Sequence, residues 1–147
     1  MADLSAFATK DNADEGVVIP VKIDGMKLPI ALKIYGDDSD VVKDYERAKI
    51  RKLKIGMNGK TDIDEEDIDE LLESQDEAVL IRIGGLWSYD WKKEAVDESD
   101  PVKLGVHTLG CDKKSYKLLI ANLPAIKDWV MEKSKDRTNF LSAGKKD

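Results

Sequence analysis

The stretch Val17-Val-Ile-Pro-Val-Lys-Ile-Asp-Gly25-Met-Lys-Leu-Pro-Ile-Ala-Leu-Lys-Ile34 decides how the chain is read. Val17, Ile19, Val21 and Ile23 alternate with other residues, as do Met26, Leu28, Ile30, Leu32 and Ile34. Period-two alternation places one apolar set on one face of a strand. Asp24-Gly25 between the runs is a two-residue type I′ turn signal. Such a turn pairs Ile23 with Met26, Val21 with Leu28, Ile19 with Ile30 and Val17 with Leu32, all apolar. Pro20 and Pro29 then oppose each other on the other face. Neither donates to a ladder, so exposed edges are expected there. A lone hairpin is marginal in water, so its apolar face must cover other elements.

Helices are the expected cover. Gly36-Asp-Asp-Ser39 breaks the strand, and Asp38 or Ser39 can cap a helix reaching about Ile55. Its inward positions are Val41, Val42, Tyr45, Ala48, Ile50, Leu53 and Ile55, and its outer face is basic. Thr61 opens a second helix to about Ile83, with ten acidic residues and no basic one between Asp62 and Glu77. Residues 88–111 read as a long irregular loop or a short second hairpin. Asp112 caps a short helix with Tyr116, Leu119 and Ile120 inward. Asn122 and Pro124 open a last helix burying Ile126, Trp129, Val130 and Met131. The expected fold is α+β: an N-terminal β-hairpin packed on about four helices. Residues 1–15 read as a loose tail, 16–141 as one globular domain and 142–147 as a second tail.

At 147 residues the chain can bury a single core. Its net charge of −6 disfavours phosphate contacts, so no nucleic-acid partner is expected. The start lacks the basic and apolar regions of a signal peptide, and no apolar run approaches a membrane span. A cytoplasmic location without a membrane partner is the expectation.

Chemistry is sparse. Cys111 and His107 are the only Cys and His, too few for a zinc site, and read better as a half-buried core pair. No nucleophile elbow, phosphate loop or dinucleotide fingerprint occurs. A calcium loop counted from Asp62 would need Gly where Asp67 stands, and Ile63 and Ile68 fit a helical stripe better. No catalytic residue, metal site or cofactor is expected. Trp87 and Trp91 suit either a core or a partner-facing role, and Trp129 sits on an apolar stripe. Phe140, beyond the last helix, either folds back onto the core or anchors a partner.

Four landmarks, in order, resemble the tail assembly chaperones of long-tailed (siphophage-type) bacteriophages. They are Gly16-Val-Val-Ile-Pro-Val leading to Gly36-Asp-Asp-Ser39 and a basic helix, and an acidic helix ending at Gly85-Leu-Trp87. Next comes Ser115-Tyr-Lys-Leu-Leu-Ile followed by Leu-Pro, and last the helix with Trp129 and the ending Asp136-Arg-Thr-Asn-Phe140-Leu. Such proteins often end in Asp-Arg-Ala-Asn-Phe; here Thr138 replaces the Ala, and Tyr89 and Trp91 are additional. The resemblance spans roughly residues 16–141. It implies a non-catalytic protein of the infected host's cytoplasm that coats the tape measure protein and recruits tail tube protein subunits. Self-association is a further implication. Arg137, Asn139 and Phe140, with Trp87, Trp91 and Trp129, are then the candidate partner-binding residues. Relatives often carry a frameshifted longer form, and Gly144-Lys-Lys can be encoded by a slippery run. A structural tail or head–tail protein and an acidic DNA mimic are the competing readings.

Overall fold

The computed structural model describes residues 3–56 and 74–141. Its elements are α1 (Lys10–Glu15), β1 (Val17–Ile23), β2 (Met26–Ile34), α2 (Asp40–Gly56), a helical segment α3 (74–80), β3 (Ile83–Asp90), β4 (Ala95–Asp97), β5 (Val102–Leu104), β6 (His107–Leu109), α4 (Lys113–Asn122) and α5 (Ala125–Lys135). Short 3-10 turns cover Ser5–Phe7 and Arg137–Phe140. Four antiparallel strands form a sheet in the order β1-β2-β3-β4, and β5 and β6 form a separate hairpin. The fold is α+β, with the expected N-terminal hairpin and five helices among the described residues.

The hairpin turn forms as its residues dictate. Asp24 and Gly25 both have positive φ, 51° and 80°, as a type I′ turn requires. Ile23 faces Met26 and Lys22 faces Lys27, but beyond Val21 the register shifts by two: Pro20 faces Ala31, Ile19 faces Leu32 and Val17 faces Ile34. Pro20 and Pro29 therefore do not oppose each other. Leu28, Pro29 and Ile30 bulge against Val21, where Pro29 owes the ladder no N–H. The indole N–H of Trp91 donates to the Leu28 carbonyl oxygen at 2.7 Å, capping a group in this bulge. An even shift keeps the apolar set on one face, so the core tolerates it.

The largest departure from the sequence expectation is β3. The second helix was expected to run from Thr61 to Ile83. Its beginning lies outside the described residues; its end is α3, and Ile83 already starts a strand. β3 lies between β2 and β4, with Leu86 opposite Leu32 and Trp87 opposite Ala31. Lys33 faces Gly85 but Ile34 faces Ile83, so Gly84 is the extra residue of a bulge. A Cβ on Gly84 would stand 2.7 Å from the Tyr35 ring, and one on Gly85 would overlap the Trp87 ring. Aromatic rings occupy the space that side chains would otherwise fill on this strand.

Residues 88–111 resolve into the end of β3, β4 and the second hairpin, rather than an irregular loop. In that hairpin Leu104 faces His107 across Gly105-Val106, with Gly105 at φ 63°. The expected loose tail is helical from Lys10 and buries Asn12 and Ala13. α2 begins after Ser39, whose hydroxyl accepts from the Val42 N–H at 3.4 Å. Val42 is fully buried, but Val41, Ala48 and Ile50 face solvent, contrary to the inward stripe; Leu53 and Ile55 lie beyond the described side chains. Periodicity marks a stripe but not whether anything covers it. Asp112 caps α4 through the Ser115 N–H at 2.8 Å, with Tyr116, Leu119 and Ile120 buried. α5 buries Ile126, Trp129 and Val130, whereas Met131 is exposed. His107 and Cys111 are exposed, not a half-buried pair.

One core joins these elements: Val21, Ile30, Leu32 and Ile34 from the hairpin, Leu86 from β3, Leu119 and Ile120 from α4, Ile126 and Val130 from α5, and Phe140.

Candidate functional site

The densest polar constellation forms where the strand-breaking segment after β2 meets the end of α5. Two residues past the end of β2, Gly36 has no room for a side chain: a Cβ there would stand 2.7 Å from that of Ala13 and 3.2 Å from the Phe140 ring. Asp37 N–H donates to the Ser134 carbonyl at 2.9 Å. The Ser134 hydroxyl lies 2.7 Å from both the Tyr35 carbonyl oxygen and Asp37 Oδ1 and shares its one proton between them. Asp37 Oδ1 also accepts from Arg82 Nε at 3.0 Å, and Arg82 Nη1 donates to the Ala78 carbonyl at 2.6 Å. Arg82 Nη2 stands 3.6 Å from Glu46 on α2. Arg82 is 4% exposed, so its charge is tolerable only because these acceptors surround it.

Asp38 extends the network outward. Arg137 grips its carboxylate with two bonds, Nε to Oδ2 at 2.6 Å and Nη2 to Oδ1 at 3.0 Å. The guanidinium holds the Asp38 carboxyl below the usual carboxylate range, and the carboxylate raises Arg137 in turn. Planar two-bond pairing is geometry that Arg supplies and Lys does not. Asp136 orients Arg137 by capping the 3-10 turn through the Thr138 N–H and hydroxyl, at 3.0 and 2.6 Å. α1 closes the other side: Asn12 Nδ2 donates to the Phe140 carbonyl at 3.0 Å, and Gly36 N–H to the Ala13 carbonyl at 3.2 Å. Asp14 accepts from the Asp40 N–H at the start of α2, while Lys10 bridges Asp14 and Asp40 at 2.6 and 3.0 Å.

This knot ties α1, the 35–40 segment, α2, α3 and the chain after α5. Its buried Ser134 hydroxyl divides its proton between the Tyr35 carbonyl and the Asp37 carboxylate, and Lys10, Arg82 and Arg137 are each paired with a carboxylate. Its bonds fasten these elements to one another.

Of the six candidate residues, Arg137, Asn139 and Phe140 share the final 3-10 turn, whereas Trp87, Trp91 and Trp129 lie elsewhere in the chain. Arg137 is on the knot's outer rim. Asn139 donates to the Lys133 carbonyl at 3.1 Å, securing the exit from α5. Phe140 is 1% exposed, so of its two readings the fold-back is the one seen. Trp129 is 6% exposed, with the Lys133 ammonium 5.9 Å from its ring centre. Trp87 is half-buried over Gly85. Trp91 is half-buried, edge-on to Tyr89 at 5.1 Å, with the Lys27 ammonium 5.3 Å from its ring centre. Tyr89 and Trp91, with Asp90, Asp97 and Asp100, line a shallow open cleft of about 410 Å³.

Sequence reasoning missed Arg82, Ser134 and Asn12. Arg82 carries a usable signal, a single cation inside the apolar run Val79-Leu-Ile-Arg-Ile83. Ser134 and Asn12 sit among charged residues and carry none.

No protein-family model matches the chain, and no curated protein or solved structure matches it. Among the described residues, no group of three or more His, Cys, Asp and Glu is placed to hold a metal ion. No described helix is long and apolar enough to cross a membrane.

Proposed function

We propose that this protein is a phage tail assembly chaperone. It binds the tape measure protein, keeps it soluble and extended, and yields to tail tube protein subunits without catalysis. One observation carries the reading beyond the resemblance. Gly36-Asp-Asp-Ser39 and Asp136-Arg-Thr-Asn-Phe140, far apart in sequence, are joined by the Arg137–Asp38 pair and buried together through Phe140 and Gly36. Two of the segments that carry the resemblance thus share one structural reason for their composition. On this reading their role is to lock the fold, and partner binding falls to surface outside the knot. Many weak copies along one rod give avidity without tight single contacts.

Peptide mass spectrometry of infected-cell lysate and purified virions tests the proposal. Abundant peptides in lysate and none in virions are expected. Stoichiometric peptides in virions would replace it with a structural tail or head–tail role. Lysate peptides continuing past Asp147 in another frame would add the longer form.

A further inference from the structure

α2 is anchored by its first turns, and Arg47, Ala48, Ile50, Arg51 and Lys52 farther along it are exposed. Val42 is fully buried, and the Tyr45 hydroxyl donates to the Ser74 carbonyl at 2.8 Å. Seventeen residues make a helix of roughly 25 Å. Beyond Glu46 the helix turns from mixed to uniformly basic: Arg47, Lys49, Arg51 and Lys52 follow without an acidic residue. Of these, Arg47 pairs with Asp44 at 3.3 Å, and Lys49, Arg51 and Lys52 have no ion pair among the described residues.

Three uncharged residues of this face and one lysine follow a helix-pairing spacing. Val41, Tyr45, Ala48 and Lys52 are separated by four, three and four residues, so they form one seam. Val41 is 42% exposed and Ala48 is exposed. Ala48 is small enough for a second helix to approach closely. Lys49 and Arg51 lie on the two flanks of the seam, at the positions that choose a partner by charge. A helix laid along it meets a narrow apolar strip bordered on both sides by cations.

We infer that α2 docks an acidic amphipathic helix of a partner protein along the Val41–Tyr45–Ala48–Lys52 seam. Charge complementarity selects that occupant. A nucleic-acid backbone would leave Val41 unused and would meet a protein of net charge −6. A membrane surface needs a broad apolar face, whereas Val41 and Ile50 project from opposite sides of the helix, nine residues apart. The inference is independent of the phage assignment.

The test uses the full chain and a labelled designed peptide of three heptads, with Leu at the seam positions and Glu on both flanks. The same peptide with Lys flanks, a duplex DNA and vesicles of anionic lipid serve as comparison probes. Fluorescence anisotropy is expected to show the Glu peptide binding at least about tenfold more tightly than the Lys peptide. The triple variants Lys49→Glu/Arg51→Glu/Lys52→Glu and Lys49→Gln/Arg51→Gln/Lys52→Gln weaken it, the first by about tenfold or more. Circular dichroism checks that both remain folded. Equal binding of the two peptides, preference for DNA or vesicles, or an unchanged affinity in both variants overturns the inference. Absence of Glu-peptide binding with a lowered melting temperature in the charge-reversed variant also overturns it, assigning the seam to the chain's own acidic stretch.

Discussion

Replacing Phe140 by Ala tests whether the chain after α5 belongs to the cooperative fold. The ring is 1% exposed and sits against Gly36, in the core cluster shared with the hairpin and α5. Removing a buried Phe ring costs its transfer free energy plus the cavity left behind, about 3–5 kcal/mol. Gly36 and Ala13 beside the ring have little or no side chain with which to fill the space. The upper half of that range is therefore expected. With a urea dependence of about 2 kcal/mol/M, the midpoint falls by about 2 M. The melting temperature falls by roughly 10–20 °C, at a few degrees per kcal/mol. Asn12→Ala, which leaves the Phe140 carbonyl without its donor, costs about 1 kcal/mol. The double variant costs less than the sum, since both act on one contact. A Phe140→Ala cost below about 1 kcal/mol would refute the reasoning, by showing that the final turn opens separately from the core.

Three further outcomes follow from the knot and from α4. Arg82→Met destabilises by about 2 kcal/mol in urea titration; the loss stays below that of a fully buried pair because Asp37 and Glu46 are 39% and 57% exposed and regain water. Arg82→Lys recovers less than half of it, since one ammonium cannot reproduce the spread donors. The carboxyls of Asp14, Asp38, Asp112 and Asp136 are all held below their ordinary value, Asp38 chiefly by Arg137 and Asp14 chiefly by Lys10. Their contribution is present above the unfolded value of about 3.9 and is lost as pH falls through the lower folded values. Urea midpoints should fall steeply below pH 4, and Arg137→Ala should shallow that fall. Burial pushes the Tyr116 hydroxyl up to about 12, so stability is complete below the unfolded value near 10 and declines as pH rises between the two. Tyr116→Phe should remove that alkaline slope in urea titrations at graded pH.

The sequence was most readable where a local rule decides the outcome. Asp24-Gly25 forces its turn, and Asp112 caps α4, because each acts on atoms a few residues away. The register was legible up to the prolines and no further, since the bulge is settled jointly by Pro20, Pro29 and an indole from residue 91. β3 was hidden because Gly84 and Gly85 carry no strand propensity of their own; the rings of Tyr35 and Trp87 occupy the space, and neither ring announces that use in sequence. The exposure of α2 was equally invisible, because an amphipathic stripe looks the same covered or bare. Of the knot, the ending Asp136–Phe140 stood out, but its partners Asp38 and Asn12 lie about a hundred residues away or more.

The bond from Asn12 to Phe140 spans 128 residues of chain. At roughly 5–20 residues per second on the ribosome, the first helix waits about 6–25 s for the segment that fixes it. In that interval Arg82 has emerged without Ser134 beside its carboxylate partner, and the apolar face of β2 lacks α5 and Phe140. Folding of this chain therefore cannot keep pace with its synthesis. It completes only once Phe140 has been synthesised and can reach Asn12.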